Sequence, residues 1–221
     1  GGSVYTNYNL NGTIYSVTDP LDNVTYYLYD GLNRPVEQWV PFGDNRYTYK
    51  KITYDKNGNK TIENIGVEAV VLWAVPTTLL TTSYSYDALN QLRCVTNPAN
   101  DRTDYVYDAN GNLTRETIYI SNSSNEEIKV TEYQYNHLGK VTTMTQYIDS
   151  GDIYGNSWDD KTELALITTY TYDLNGNLLS MKAPDGKITS YTYDKLDRQT
   201  SIKEKGLDQY GNPADITTTV T

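Results

Sequence analysis

Apolar and polar positions alternate along this chain in short stretches, and tyrosine fills many of the apolar positions. Pairs such as Tyr84/Tyr86 and Tyr170/Tyr172 are two residues apart, which places both side chains on one face of a β-strand. Segments rich in Asp, Asn and Gly follow these pairs, as is typical of tight turns. No stretch of useful length has the 3.6-residue period of a helix. The pattern predicts an all-β chain of short strands joined by turns.

The turns belong to an internal repeat. The motif Tyr-Asp-x-x-Gly-Asn-Leu occurs at 107–113 and at 172–178, and looser copies begin at six other tyrosines. The eight anchor tyrosines are Tyr8, Tyr29, Tyr54, Tyr86, Tyr107, Tyr135, Tyr172 and Tyr193. Successive anchors are 21, 25, 32, 21, 28, 37 and 21 residues apart. A unit of 21 residues with insertions at one place accounts for all of these spacings.

The fifth motif position indicates the shape of the turn. It holds only glycine, asparagine or aspartate, the residues that enter the left-handed region at least cost, namely Gly12, Asn33, Gly58, Asn90, Gly111, Gly139, Gly176 and Asp197. We expect a positive φ at each, with the aspartate after the tyrosine accepting hydrogen bonds as in an Asx-turn. The residues predicted to carry the repeat are structural: Tyr29, Asp30, Tyr54, Asp55, Gly58, Tyr86, Asp87, Tyr107, Asp108, Gly111, Tyr135, Gly139, Tyr172, Asp173, Gly176, Tyr193 and Asp194.

Each unit needs a second turn, and the insertions fall there. Its shortest form is Pro-Asp-Gly-Lys at 184–187, and longer hairpins are predicted with tips at 121–125, 152–156 and 208–212. The chain therefore reads as a single array of about eight hairpins over residues 1–221, stabilised mainly between neighbours. We expect it to be a fragment of a larger protein.

The composition indicates what the core is made of and which kinds of binding are disfavoured. The 221 residues include 23 tyrosines and one phenylalanine, and the mean hydropathy is −0.64, so we expect a core built largely of stacked tyrosines on one sheet face. A net charge of −10 disfavours nucleic-acid binding. The apolar run at 69–75 is too short to span a membrane. Cys94 is the only cysteine, so no internal disulfide forms.

These motifs together resemble the Rhs/YD-repeat family, which includes bacterial Rhs and wall-associated polymorphic toxins, toxin-complex B/C components and teneurins. The resemblance covers the chain from Tyr5 onward. It implies a curved, spiralling antiparallel sheet, here an arc of a β-shell. It implies a secreted or cell-surface location and partners among the remaining repeats of the same protein. In the toxins the shell encloses a C-terminal effector, and in teneurins it is an adhesion scaffold.

Two features depart from the toxin pattern. The shells of the Rhs toxins end in a self-cleaving segment that contains Asp-Pro, whereas the only Asp-Pro here, Asp19-Pro20, lies in a predicted hairpin turn. No cleavage residue can therefore be transferred. Eight repeats are also too few for a closed shell.

Candidate chemistry is sparse. The single histidine, His137, occupies a turn position, and one His with one Cys makes no zinc site. Asp-x-Asn-Gly-Asn at 55–59 and 173–177 superficially resembles a calcium loop but lacks the sixth-place glycine and the distal glutamate. Paired carboxylates at 126–127 and 159–160 are interpreted as solvated charge. We predict no catalytic residue, no cofactor and no metal site.

The apolar run at 69–75 has two interpretations. The run is apolar on both faces, which suits either contact with another part of the protein, such as cargo, or local packing over a hairpin base.

Tyrosine faces also bind sugars, so a carbohydrate- or cell-surface-binding module is the alternative function. Against it, Trp39, Trp73 and Trp158 are out of phase with the repeat.

Overall fold

The computed structural model describes residues 2–43, 46–70, 72–121, 126–147, 165–207 and 213–219. These ranges contain strands and turns, and within them there is no helix. The chain divides into two compact units, residues 1–102 and 103–221. None of the described segments is a helix that could cross a membrane.

The first unit is a ladder of antiparallel strands in which each strand pairs with the next one along the chain. Its strands are β1 (Tyr5–Tyr8), β2 (Ile14–Thr18), β3 (Val24–Tyr29), β4 (Pro35–Pro41), β5 (Tyr47–Tyr54), β6 (Lys60–Val70), β7 (Leu80–Tyr86) and β8 (Leu92–Thr96).

The second unit repeats this plan from β10 onward, and β9 (Arg102–Tyr107) pairs with β10. The strands are β10 (Leu113–Ser121), β11 (Glu126–Tyr135), β12 (Val141–Tyr147), β13 (Ala165–Tyr172), β14 (Leu178–Lys182), β15 (Ile188–Tyr193), β16 (Gln199–Leu207) and β17 (Pro213–Thr219). The predicted fold class, all-β with tandem antiparallel hairpins, is confirmed.

The two kinds of turn differ in how much their length varies. Every anchor tyrosine is the last residue of its strand, and five residues then lead to the next strand in all eight copies. We call these five-residue connections the YD turns. The connections at the other end of the strands vary in length. Three of them have five residues, at 19–23, 97–101 and 183–187, whereas the one at 71–79 has nine. Of the predicted hairpin tip at 121–125, Ser121 ends β10 and 122–125 lie outside the described residues. The predicted tips at 152–156 and 208–212 lie outside them too, as do Trp158, Asp159 and Asp160.

The best-buried side chains of the first unit form a row across five strands. Ser16 pairs with Tyr26, Tyr26 with Trp39, Trp39 with Tyr49 and Tyr49 with Gly66. Trp39 and Tyr49 are each 1% exposed, with ring centroids 4.5 Å apart. Burial, followed by the nearby Glu37 carboxylate, raises the pKa of Tyr49.

The expectation of a tyrosine core is wrong in one respect. Seven anchor tyrosines are half-buried and Tyr8 is exposed, whereas the buried aromatic pair, Trp39 and Tyr49, lies outside the anchor positions. In the second unit the best-buried described residues are Thr117, Val130 and Thr168. A sheet face that is not covered by a second layer leaves its side chains partly open to solvent.

The apolar run at 69–75 does not continue as a strand. β6 ends at Val70, Trp73 has a φ of 71° and Val75 is 60% exposed. Leu72 packs on the Trp39 pair, and Pro76 fills the space that a side chain at Gly66 would occupy. The segment 72–79 therefore folds back over the aromatic row, in agreement with local packing over a hairpin base.

Candidate functional site at the repeat turns

The YD turn has one geometry throughout. At 108–112, the Asp108 amide donates to the Asn112 carbonyl at 2.9 Å, and the Gly111 amide donates to the Asp108 carbonyl at 3.1 Å. Equivalent backbone pairs close the other seven turns. The residue at the fifth motif position has a φ between 59° and 90° in all eight copies, so the predicted positive φ is confirmed. The adjoining strands shift register there, as in a bulged hairpin.

The aspartate after the anchor tyrosine ties the turn together. Asp108 Oδ1 accepts from the amides of Asn110 and Asn112 at 2.9 Å each, and its Oδ2 accepts from Asn112 Nδ2 at 2.9 Å. The side-chain bond from Asn112, followed by its backbone amide, lowers the pKa of Asp108. The same two backbone bonds occur at Asp30, Asp55, Asp87, Asp173 and Asp194, and at Asn136 in the sixth copy.

Five of the eight anchor tyrosines clamp their hairpin to the preceding one. In five described copies the phenolic hydroxyl donates to the carbonyl of the seventh motif residue of the previous copy. These clamps are Tyr54 to Pro35 at 3.1 Å, Tyr86 to Lys60 at 2.9 Å, Tyr135 to Leu113 at 2.7 Å, Tyr172 to Val141 at 2.9 Å and Tyr193 to Leu178 at 3.1 Å.

The strand register explains why a hydroxyl is needed at this place. The backbone pairing of β12 with β13 ends at Thr143 and Thr169, two residues short of Val141. The Val141 carbonyl lies beyond the paired region, and the Tyr172 hydroxyl supplies its donor. The other four clamps stand two residues beyond the end of their paired regions in the same way. Phenylalanine would fill the space but leave the carbonyl without this donor, which gives a physical reason for tyrosine at these five anchor positions.

Neighbouring YD turns also join through side-chain amides. Asn57 Nδ2 and Asn59 Nδ2 donate to Asn90 Oδ1 at 2.9 and 2.8 Å. Asn175 and Asn177 likewise donate to Asp197 Oδ1 at 3.0 and 2.7 Å, and Asn11 donates to Asn33 Oδ1 at 2.7 Å. Each acceptor is the fifth motif residue of the following turn.

An ion cluster around the half-buried Glu63 joins β5 and β6 in the first unit. The Glu63 carboxylate, with a side chain 13% exposed, contacts Lys50 and also binds Lys60 at 2.8 Å. Lys60 Nζ stands 4.2 Å from the centre of the Tyr84 ring, and the Tyr84 hydroxyl donates to Glu63 at 3.3 Å. The hydrogen bond from Lys50, followed by that from Lys60, lowers the pKa of Glu63 to about 2.

The other candidate chemistry takes structural places. His137 is an exposed turn residue, as expected. At 173–177 the Asp173 carboxylate accepts three N–H bonds within its own turn, which leaves it ordered as a turn cap. Among the described residues no group of three His, Cys, Asp or Glu side chains could hold a metal ion. Glu127 pairs with Lys129 at 3.1 Å, both exposed.

Sequence reasoning missed the tyrosine clamps and the turn-to-turn amide pairs. A signal for the amide pairs exists in the motif itself. Four turns have Asn-Gly at motif positions four and five. In three of them the next turn along the chain has Asn or Asp at position five, and that side chain can accept a hydrogen bond from the asparagine. The turns at 19–23, 97–101 and 183–187 were also not expected to share the YD geometry, yet Asp22, Asn100 and Gly186 have positive φ there.

Repeated five-residue turns, aspartate caps and tyrosine clamps define an antiparallel β-hairpin repeat protein of the YD type. The family model described as RHS Repeat matches residues 86–118 and 172–206. These stretches are RHS repeats, and the predicted resemblance to the Rhs/YD-repeat family is confirmed there. No curated protein sequence matches the chain.

Several solved structures are similar to the chain at low identity. The TcdB2-TccC3-Cdc42 structure is 14% identical with a TM-score of 0.43, over 100% of this chain and 14% of that one. TcdB2-TccC3 without its hypervariable C-terminal region is 13% identical with a TM-score of 0.46, over 100% and 14%. The Photorhabdus luminescens Tc holotoxin pore is 14% identical with a TM-score of 0.39, over 98% and 14%. The chain therefore spans about 14% of the length of these structures.

Proposed function

We propose that this chain is a wall segment of a secreted or cell-surface Rhs/YD-repeat protein, with a passive structural role and no catalytic activity. The observation that carries the proposal is the set of five tyrosine clamps, each of which joins one hairpin to the hairpin before it. Such bonds let a single-layered sheet grow by repetition, because each repeat satisfies a backbone group of its neighbour.

The RHS repeats support a shell or scaffold role. We further propose that the array at 1–221 and the remaining repeats of the same protein together form a shell. That shell encloses or presents a C-terminal toxin effector. One of the similar solved structures is a Tc holotoxin pore from Photorhabdus luminescens.

Protease protection in the full-length protein tests this role. The segment beyond the repeats is expected to resist limited proteolysis in the intact protein and to be digested quickly once released by partial denaturation. Digestion at the same rate before and after denaturation would contradict enclosure. Cross-links between the repeats and that segment would locate the enclosed part independently.

Carbohydrate binding remains the alternative function, and Trp73 is the observation that favours it. Its ring is 46% exposed and lies 5.4 Å from the Tyr26 ring and 5.8 Å from the Trp39 ring. Trp73 holds a φ of 71°, a costly conformation for a bulky residue, and such strain concentrates at binding sites. An exposed ring held in this way offers a stacking surface to a neutral sugar.

A glycan array with the purified chain separates the two functions. Under the wall-segment proposal no glycan binds specifically. Binding that is lost in Trp73→Ala and kept in Trp73→Phe, with both variants folded at the assay temperature, would favour the alternative.

A further inference from the structure

Four YD turns contain the dipeptide Asn-Gly at motif positions four and five, namely 11–12, 57–58, 110–111 and 175–176. In this dipeptide the glycine backbone nitrogen can attack the side-chain carbonyl carbon of the asparagine, since glycine has no side chain to obstruct the approach. Reaction at any one of the four depends on how firmly the asparagine side chain is held.

Three of the four asparagines are held by the following turn. The Nδ2 atoms of Asn11, Asn57 and Asn175 donate to a side-chain oxygen of the next fifth-position residue, at 2.7, 2.9 and 3.0 Å. Each bond fixes the side-chain torsion and occupies the amide group that would have to leave.

Asn110 differs because the next fifth-position residue is Gly139. Glycine has no side-chain oxygen to accept, and within the described part of the chain the Asn110 amide group has no hydrogen-bond partner. The two turns are nevertheless adjacent, since a Cβ on Gly139 would lie 3.6 Å from Asn112 Oδ1. Asn110 is exposed, so water reaches it.

We propose that Asn110 is a site of spontaneous deamidation, a modification from which the other three asparagines are protected. The Gly111 nitrogen loses its proton and bonds to the Asn110 Cγ. The bond from Cγ to the side-chain nitrogen breaks, and ammonia leaves with that proton. Water then opens the succinimide ring at either carbonyl and leaves aspartate or isoaspartate at position 110.

The product changes this turn in two ways. Either product places a new negative charge beside Asp108, and isoaspartate also adds an atom to the backbone next to Gly111, whose φ is 86°. The five-residue connection between β9 and β10 depends on that backbone. The modified hairpin is therefore less stable.

Peptide mass spectrometry after incubation in mildly alkaline buffer tests the proposal directly. Deamidation at Asn110 is expected to be several-fold faster than at Asn57 or Asn175 in the folded chain, and the rates should converge in denaturant. Equal rates in the folded chain would overturn it.

Two variants with opposite changes, one that adds an acceptor and one that removes an acceptor, keep the test independent of any one substitution. Gly139→Asn adds the missing acceptor and should slow the reaction at Asn110 several-fold, with the rate at Asn57 unchanged. Asp197→Gly removes an acceptor, keeps the positive φ accessible, and should accelerate the reaction at Asn175. If neither variant changes its rate, the amide bond does not protect the site and the proposal is wrong.

Discussion

The hydroxyl of Tyr172 donates a 2.9 Å hydrogen bond to the carbonyl of Val141, 31 residues earlier in the chain. The two residues belong to consecutive copies of the repeat, and the bond stands where the backbone pairing of β12 and β13 has ended. The anchor tyrosine thus closes the seam between two hairpins with a side chain in place of a backbone amide.

Removal of that hydroxyl should weaken the seam. We expect Tyr172→Phe to reduce the free energy of unfolding by about 1 kcal/mol, the usual net value of one hydrogen bond. The matched control is Tyr170→Phe, because Tyr170 is equally half-buried and makes no clamp. Denaturant titration of both variants checks this, and equal losses would mean that the clamp contributes nothing specific.

The turn geometry makes a second prediction. Gly111 has a φ of 86°, a conformation that costs a β-branched residue about 1–3 kcal/mol. Gly111→Val should therefore lower the melting temperature more than Asn112→Ala, which loses only the side-chain bond to Asp108. Identical melting temperatures would show that the positive φ is not a requirement of the turn.

The aromatic row predicts where the first unit is most sensitive. Trp39 is 1% exposed, so Trp39→Ala should cost about 3–5 kcal/mol through lost burial and the cavity left behind. Trp73→Ala should cost clearly less, since that ring is 46% exposed. Thermal unfolding of the two variants compares them, and a larger loss at Trp73 would place the core elsewhere.

The ion cluster at Glu63 predicts an acid dependence. A pKa of about 2 in the folded chain, against an ordinary value of 4.5, means that the ionised form is favoured by folding. Its stabilisation, on the order of 2 kcal/mol, is complete above pH 4.5 and is lost as the pH falls toward 2. The lowered pKa values of Asp108, Asp173 and Asp194 act in the same direction.

Glu63→Gln isolates that contribution. The difference in unfolding free energy between the unmodified chain and this variant should be large at neutral pH and should shrink below pH 4.5. A difference that is constant with pH would show that the Glu63 carboxylate is not stabilised by Lys50 and Lys60.

The turns were predictable from the sequence because their requirement is local. A positive φ restricts one position to Gly, Asn or Asp, and eight copies make that restriction visible. The Trp39–Tyr49 pair was not predictable in this way, because it depends on how β4 pairs with β5. The kind of connection that joins these two strands varies in length from copy to copy. The Glu63 cluster likewise joins Lys50 and Lys60 from two strands through their register.

The constant five-residue turns and the one-step reach of the clamps have an evolutionary consequence. Each described clamp and each described amide pair joins one copy of the motif only to the next. Duplication or loss of a whole copy would therefore create one new junction of a familiar kind and would leave every other junction as it was. A gene built on this plan can change the length of its product in steps of one hairpin pair, without any compensating substitution elsewhere.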